Sequence, residues 1–206
     1  MSLRKYLVNV TPTGTTLTTS NILSDDSVAA NLVGAGSPGT IQSSDVQVHH
    51  GATSMRFVGG GTSAQVVRLP FVAPANANAV SWYHYDTALA SVDLMNIRHA
   101  SGQLFRIGLS GSGAIQVKDT TGTVLGTASP GANWAIDRWN RIEVKWDNSG
   151  GSSAGTVDVA VYNGDSLTAT GTLSLTGVNL VTAAATLVEI GAPNASSWTH
   201  TYYVDS

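Results

Sequence analysis

The residues best suited to chemistry are aromatic and histidine side chains gathered in two stretches. One is Val80 to Asp86, which reads VSWYHYD; the other runs from Trp198 through His200 to Tyr202. A flat ring flanked by hydroxyl, amide or imidazole donors matches the apolar C–H face and hydroxyl rim of a sugar, and ligand sites generally combine aromatic lining with a few placed polar groups. The candidate binding residues are therefore Tyr83, His84, Tyr85, Trp198, His200 and Tyr202. In an extended strand Trp82 and His84 share one face, and Tyr83 and Tyr85 the other. Trp198 stands in a Ser-Ser-Trp-Thr stretch and is expected to be exposed, whereas Trp82, Trp139 and Trp146 are expected to pack in the core or at a sheet edge.

Other chemistries have weaker signals. The only glutamates are Glu143 and Glu189. Glu143 lies between Arg141 and Lys145 and is expected to form a surface ion pair, while Glu189, between Val188 and Ile190, is expected to face solvent. The five histidines are His49, His50, His84, His99 and His200, with no H-x-H or H-x-x-x-H spacing. Adjacent residues on a strand point to opposite faces, so His49 and His50 are not expected to chelate one ion, and no metal site is assigned. The spelling G-x-S-x-G occurs around Ser153, but within the Asn-, Ser- and Gly-rich stretch Asp147 to Gly155 that reads as a turn between strands, so it is not a nucleophile elbow. Gly59-Gly60-Gly61 is followed by no Lys-Ser or Lys-Thr helix start, so it is a turn and not a phosphate loop. Asp147-Asn148 and Asn163-Gly164-Asp165 offer oxygens that a structural calcium could use. Asx turns account for the same residues, and no cofactor is assigned.

The elements that must hold these residues are strands. Ile142, Val144 and Trp146 alternate with Arg141, Glu143 and Lys145, and Val157, Val159 and Val161 alternate with Asp158, Ala160 and Tyr162. Between them Asp147 to Gly155 is almost wholly Asn, Ser and Gly, so the pair reads as a hairpin with one dry face and one wet face. Further strands are expected at Tyr6 to Val10, Val28 to Val33, Thr53 to Val58, Ala64 to Leu69, Val80 to Asp86, Leu94 to His99, Leu104 to Leu109, Ala114 to Lys118, Thr123 to Ala128, Thr172 to Leu175, Leu187 to Ile190 and Thr199 to Val204. Thr53 to Val58 and Ala64 to Leu69 flank the triple glycine as a predicted hairpin, ended by Pro70 and Pro74. Val178 to Ala185 is the best short-helix candidate. Strands recurring at this spacing with turns between them predict an all-β fold, an antiparallel two-sheet jelly-roll sandwich.

Composition bounds the function. The 206 residues suffice for one substantial domain. Charged residues make up 11%, well below the ~25% of typical soluble proteins, so hydroxyls and amides solvate the surface. A net charge of −3 and no basic cluster beyond Arg4-Lys5 argue against a nucleic-acid partner. The absence of cysteine excludes disulfides, thiolate metal sites and a thiol nucleophile. No apolar run approaches a membrane span of ~20 residues, and the first residues, MSLRKYLVNVTPTG, lack the apolar stretch of a secretory signal.

The order of landmarks is HGATSMRF, SWYHY, a meander ending GAIQVKDTTG, WNRIEVKWD with GTVDVAVYNGD, then VEIGAP and TYYVDS. This order resembles the concanavalin A-like, laminin G-like jelly-roll domains (the lectin/glucanase fold), in particular those of tail and surface proteins of actinobacterial bacteriophages. The resemblance covers residues 46–206. It implies that residues 1–45 are an extended attachment segment joined to the sandwich, and that the family's usual further strand is supplied by that segment or by a longer natural chain. It also implies a non-catalytic structural or binding module of a virion, on tail or capsid; in the absence of a secretory signal, cell lysis after particle assembly is one route by which it would leave the cell. Its partners would be other virion subunits, further copies of itself in a homo-oligomer, and host-surface carbohydrate. The alternative is a free bacterial lectin or adhesin. Glucanases of this fold carry their carboxylates in an E-x-D-x-x-E strand, a pattern missing here, so an enzyme is not expected.

Overall fold

The computed structural model describes residues 6–7, 14, 23–24, 31–33, 40–50, 54–58, 64–131, 133–193 and 201–205. Sixteen strands are present among them, and no helix. In chain order they are β1 (Tyr6–Leu7), β2 (Leu23–Ser24), β3 (Asn31–Val33), β4 (Thr40–Ser44), β5 (Ser54–Val58), β6 (Gln65–Ala75), β7 (Ala77–Asp86) and β8 (Val92–His99). There follow β9 (Gly102–Leu109), β10 (Ile115–Lys118), β11 (Val124–Thr127), β12 (Trp139–Asp147), β13 (Gly155–Asn163), β14 (Ala169–Val178), β15 (Ala185–Ala192) and β16 (Thr201–Asp205). Apart from the small β1–β2 pair they form two seven-stranded sheets, antiparallel throughout. Sheet I has the order β4-β5-β16-β7-β12-β13-β14, and sheet II the order β3-β6-β15-β8-β9-β10-β11.

The core lies between the sheets. From sheet I come Trp82, Ile142, Val144, Trp146, Val157, Val159 and Val161; from sheet II come Ile97, Phe105, Ile107, Ile115, Val117, Val188 and Ile190. The alternation that marks β12 and β13 in the sequence is thus the alternation between core and outer face. Fully burying one such aliphatic side chain contributes about 1.5–3 kcal/mol, which is why these two strands hold a strict register across eight residue pairs.

Three local expectations are corrected. Strands β5 and β6 are not a hairpin, since β5 pairs with β4 and β16 in sheet I and β6 with β15 and β3 in sheet II. Each strand has a buried apolar set, and the jelly roll satisfies both sets by sending the chain across the sandwich. Pro70 and Pro74 do not end β6, because the ladder to β15 shifts register between the Ala185–Ala75 and Leu187–Pro70 pairs. An irregular ladder is where a residue without an N–H is tolerated. Val178 to Ala185 is no helix: Val178 closes β14 and Ala185 opens β15. The Asn148 carboxamide donates to the Val181 and Ala183 carbonyls (2.5 and 2.9 Å), acceptors that helical backbone would need.

Candidate functional site

The antiparallel register assembles a polar–aromatic patch on the outer face of sheet I. Asp205, Tyr83, Arg141 and Tyr162 are direct neighbours across β16, β7, β12 and β13, and Tyr203, Tyr85 and Trp139 form the next row. In that second row the rings meet edge to face, Tyr85 at 5.6 Å from Trp139 and 5.9 Å from Tyr203, the arrangement their quadrupoles favour. Arg141 lies over the Tyr162 ring at 4.1 Å.

The loop between β4 and β5 folds over this patch. The backbone N–H groups of His49 and His50 both donate to Asp205 Oδ2 at 2.9 Å. The His49 ring stacks on Tyr83 (3.8 Å between centroids, 20° between planes) and meets Trp139 edge-on at 5.6 Å. From the other side the loop after β13 presents Asp165. Arg141 fixes that loop by donating to the carbonyls of Gly164 and Ser166, while its Nε donates to Glu143 at 2.9 Å. Tyr83 donates its hydroxyl to Asp165 Oδ1 at 2.6 Å, and Asp165 Oδ2 is 3.6 Å from His49 Nε2. Burial, and then the bond to Asp165, push the Tyr83 phenol above its ordinary range. That same bond, with smaller help from His49 and His50, holds the Asp165 carboxyl low. The phenol is therefore the donor and the carboxylate the acceptor at neutral pH.

Of the residues singled out in the sequence, Tyr83 and Tyr85 meet on this outer face. His84 and Tyr202 do not join them. They lie inside the sandwich, stacked on each other at 4.8 Å, with Tyr202 also stacked on Phe57 at 4.6 Å. His84 Nε2 faces Asp86 Oδ1 at 3.3 Å, and Asp86 Oδ2 accepts a bond from Trp134 Nε1 at 2.9 Å. This buried set ties β7 to β16 and to the loop before β12, a structural role. Trp198 and His200 lie outside the described residues. His49, His50, Trp139, Arg141, Tyr162 and Asp165 were missed as site residues. Tyr162 and Arg141 could have been found from alternation alone, since they share the outer phase of β13 and β12; the two histidines had no such signal.

The premise against a histidine pair fails. His49 and His50 sit in a bend and not in a strand, so their rings lie 4.1 Å apart and their Nδ1 atoms 2.7 Å apart. The calcium alternative separates into two ends of the sandwich: Asp147 pairs with Thr156, and Asn140 with Asn163. Asp147 Oδ1 accepts the Ser149 N–H and hydroxyl in an Asx turn, and Asn148 is buried, holding the β14–β15 connection. These loops do not converge on one ion.

Sheet II supplies the other polar surface. Arg68, Glu189, Asn96, Arg106 and Lys118 are successive cross-strand neighbours over β6, β15, β8, β9 and β10. Glu189 does not face solvent, being only 2% exposed. Arg68 Nε donates to it at 2.7 Å, Asn96 at 3.1 Å and Arg98 at 3.4 Å. Asp93 accepts from Lys118 Nζ at 2.8 Å and Arg106 Nη1 at 3.3 Å. Each carboxylate of this row is thus engaged by two cations. Glu143, on sheet I, forms the expected pair with Arg141.

No protein-family model matches the sequence, and no curated protein matches it either. Solved structures do. A protein of unknown function from Shewanella oneidensis MR-1 superposes with a TM-score of 0.57 at 13% identity, over 98% of this chain and 83% of that one. The alginate lyase vAL-1 from a Chlorella virus gives 0.53 at 15% identity, over 79% and 86%. Lectin I from Ulex europaeus, in complex with the methyl glycoside of α-L-fucose, gives 0.52 at 10% identity, over 98% and 96%. At these identities the likeness is one of fold: two antiparallel seven-stranded sheets of the concanavalin A-like lectin type.

Proposed function

We propose that the chain is a non-catalytic carbohydrate-binding module, carried on a virus particle, that docks on host-surface glycan through the outer face of sheet I. The observation that carries the reading is the convergence of Tyr83, His49 and Trp139 rings with the Asp165 carboxylate and the Arg141 guanidinium on one partly exposed patch. Rings offer apolar faces, and the ionic groups offer charge-assisted bonds to hydroxyls. A non-catalytic role is supported by the state of the carboxylates. Glu189 and Asp93 are each held by two cations, and Glu143 by Arg141, which leaves none of the three poised as a general acid or base. One structural neighbour is a lectin solved with a glycoside bound, in keeping with the same reading. The particle assignment rests on the order of sequence landmarks and has its own test.

The binding test is a glycan and cell-wall pull-down with the isolated protein beside Trp139→Ala and Trp198→Ala variants. Binding lost in Trp139→Ala with an unchanged thermal midpoint supports the outer face of sheet I. Binding lost only in Trp198→Ala moves the site to Trp198, outside the described residues. Absence of binding by the parent protein at millimolar sugar-site concentrations overturns the glycan reading. Mass spectrometry of purified particles decides the virion assignment, and a particle free of this polypeptide rejects it.

A further inference from the structure

We propose that His49, His50 and Asp165 form a binding site for a divalent transition-metal ion, with zinc the ion the donor set suits best. Each residue offers one ligand atom, and the three atoms lie within 4.8 Å of one another. Two imidazoles and one carboxylate are a recurrent zinc donor set, and three protein ligands leave a fourth position open to water or to a ligand hydroxyl.

Three features distinguish the cluster from a chance meeting of surface side chains. First, the histidine backbone is pinned: both N–H groups bond the same oxygen of Asp205, a residue more than 150 positions away in sequence. Second, the carboxylate is oriented. Tyr83 donates to Oδ1 at 2.6 Å, the kind of outer partner that sets a ligand's direction in metal sites, and Oδ2 is the oxygen that would ligate. The Tyr83 ring also supports the His49 imidazole from below. Third, the Nδ1 atoms of the two rings face each other 2.7 Å apart, so two ring nitrogens converge on one point. Two imidazoles at that distance must hold one proton between them, since two lone pairs or two N–H groups repel. A metal ion can replace that proton if the rings open slightly to reach Zn–N bonds of ~2.0–2.1 Å. The neighbourhood tolerates the added charge, because Asp165 and Asp205 flank the histidines while the Arg141 guanidinium is engaged by Glu143 and two carbonyls.

The test is independent of any glycan. Tag-free protein, stripped with chelator, is titrated with Zn²⁺ by calorimetry and with Co²⁺ by visible absorption. The expected result is one ion per chain, a tetrahedral Co²⁺ spectrum, and a rise in thermal midpoint with Zn²⁺. His49→Ala and His50→Ala each abolish the spectrum, and Tyr83→Phe, which keeps all three ligands, weakens Zn²⁺ by about 10–100-fold. His50 is exposed, so His50→Ala should fold like the parent, which a melt without metal verifies. Absence of stoichiometric binding, or binding of equal strength in the His49→Ala/His50→Ala double variant, overturns the proposal and leaves a hydrogen-bonded histidine pair that anchors the loop.

Discussion

His49 is the residue on which the patch turns, and its protonation follows from what surrounds it. Burial and the adjacent His50 lower its pKa below 6.5, and Arg141 on β12 adds to the lowering. Asp165 beyond β13 and Asp205 on β16 oppose the shift, while Tyr83 on β7 contributes its ring face and no charge. A group with a depressed folded pKa contributes stability above its unfolded pKa and loses it as the pH falls through the folded one. The loop carrying His49 and His50 should therefore be firmest above pH 6.5 and loosen on acidification. In chelated buffer, the His49 imidazole signals in an NMR titration should move at a midpoint below that of a free histidine. His50→Ala should raise the midpoint, and Asp165→Asn should lower it further. A midpoint unmoved by either substitution would contradict the arrangement.

At the scale of elements, Glu189 separates what periodicity can say from what it cannot. Alternation with Val188 and Ile190 correctly places it on the face opposite the core. It does not reveal that β6 and β8 bring Arg68, Arg98 and Asn96 to the same spot, so a residue read as solvated is buried in an ion-pair row. Breaking a buried pair by removing one partner costs about 3–5 kcal/mol. Here the two arginines keep partial access to water, with side chains 34% and 29% exposed. Glu189→Gln should accordingly destabilise by about 3 kcal/mol, the lower end of that range, seen as a drop in the denaturant midpoint at constant m-value. The same limit explains the misread β5–β6 connection. Two apolar strands around a glycine turn are compatible with one sheet or with two, and only partners such as β16 and β15, well over 100 residues away, decide between them. It also explains the histidine pair, because the expectation of opposite faces assumed a strand where the chain bends. By contrast, β12 and β13 were legible in full, since a strict two-residue period over nine residues admits one burial pattern. Gly191 shows an element-level demand invisible in the sequence. Its φ is +132°, and a Cβ there would collide with the Gln65 carbonyl and lie 2.9 Å from Phe57. Gly191→Ala combines backbone strain with a clash against main chain, and should lower stability by about 3 kcal/mol or more, measured by the same denaturation.

The whole molecule is closed by its last described strand. β16 lies between β5 and β7, so among the described strands it alone joins the β4–β5 pair to the rest of sheet I. Tyr202 and Val204 fill the core, Tyr203 completes the outer aromatic row, and Asp205 holds the histidine loop. One five-residue strand thus serves the sheet, the core and the candidate site together. Losing buried side chains of this size costs about 2–5 kcal/mol each, to which two unpaired strand edges are added. That sum is comparable with the whole stability of a domain, about 5–15 kcal/mol. Removal of residues 201–206 should therefore abolish the cooperative transition and the near-ultraviolet dichroism of the buried tryptophans. Asp205→Asn keeps the strand and the core and weakens the anchor. It should preserve the cooperative melt with a small fall in midpoint, while amide exchange at His49 and His50 speeds up. If the truncated chain still melted cooperatively, β5 would have to find β7 without β16. In the described register β7 pairs with β12 on one side and with Tyr202–Asp205 on the other, so β5 has no pairing with β7 of its own to fall back on.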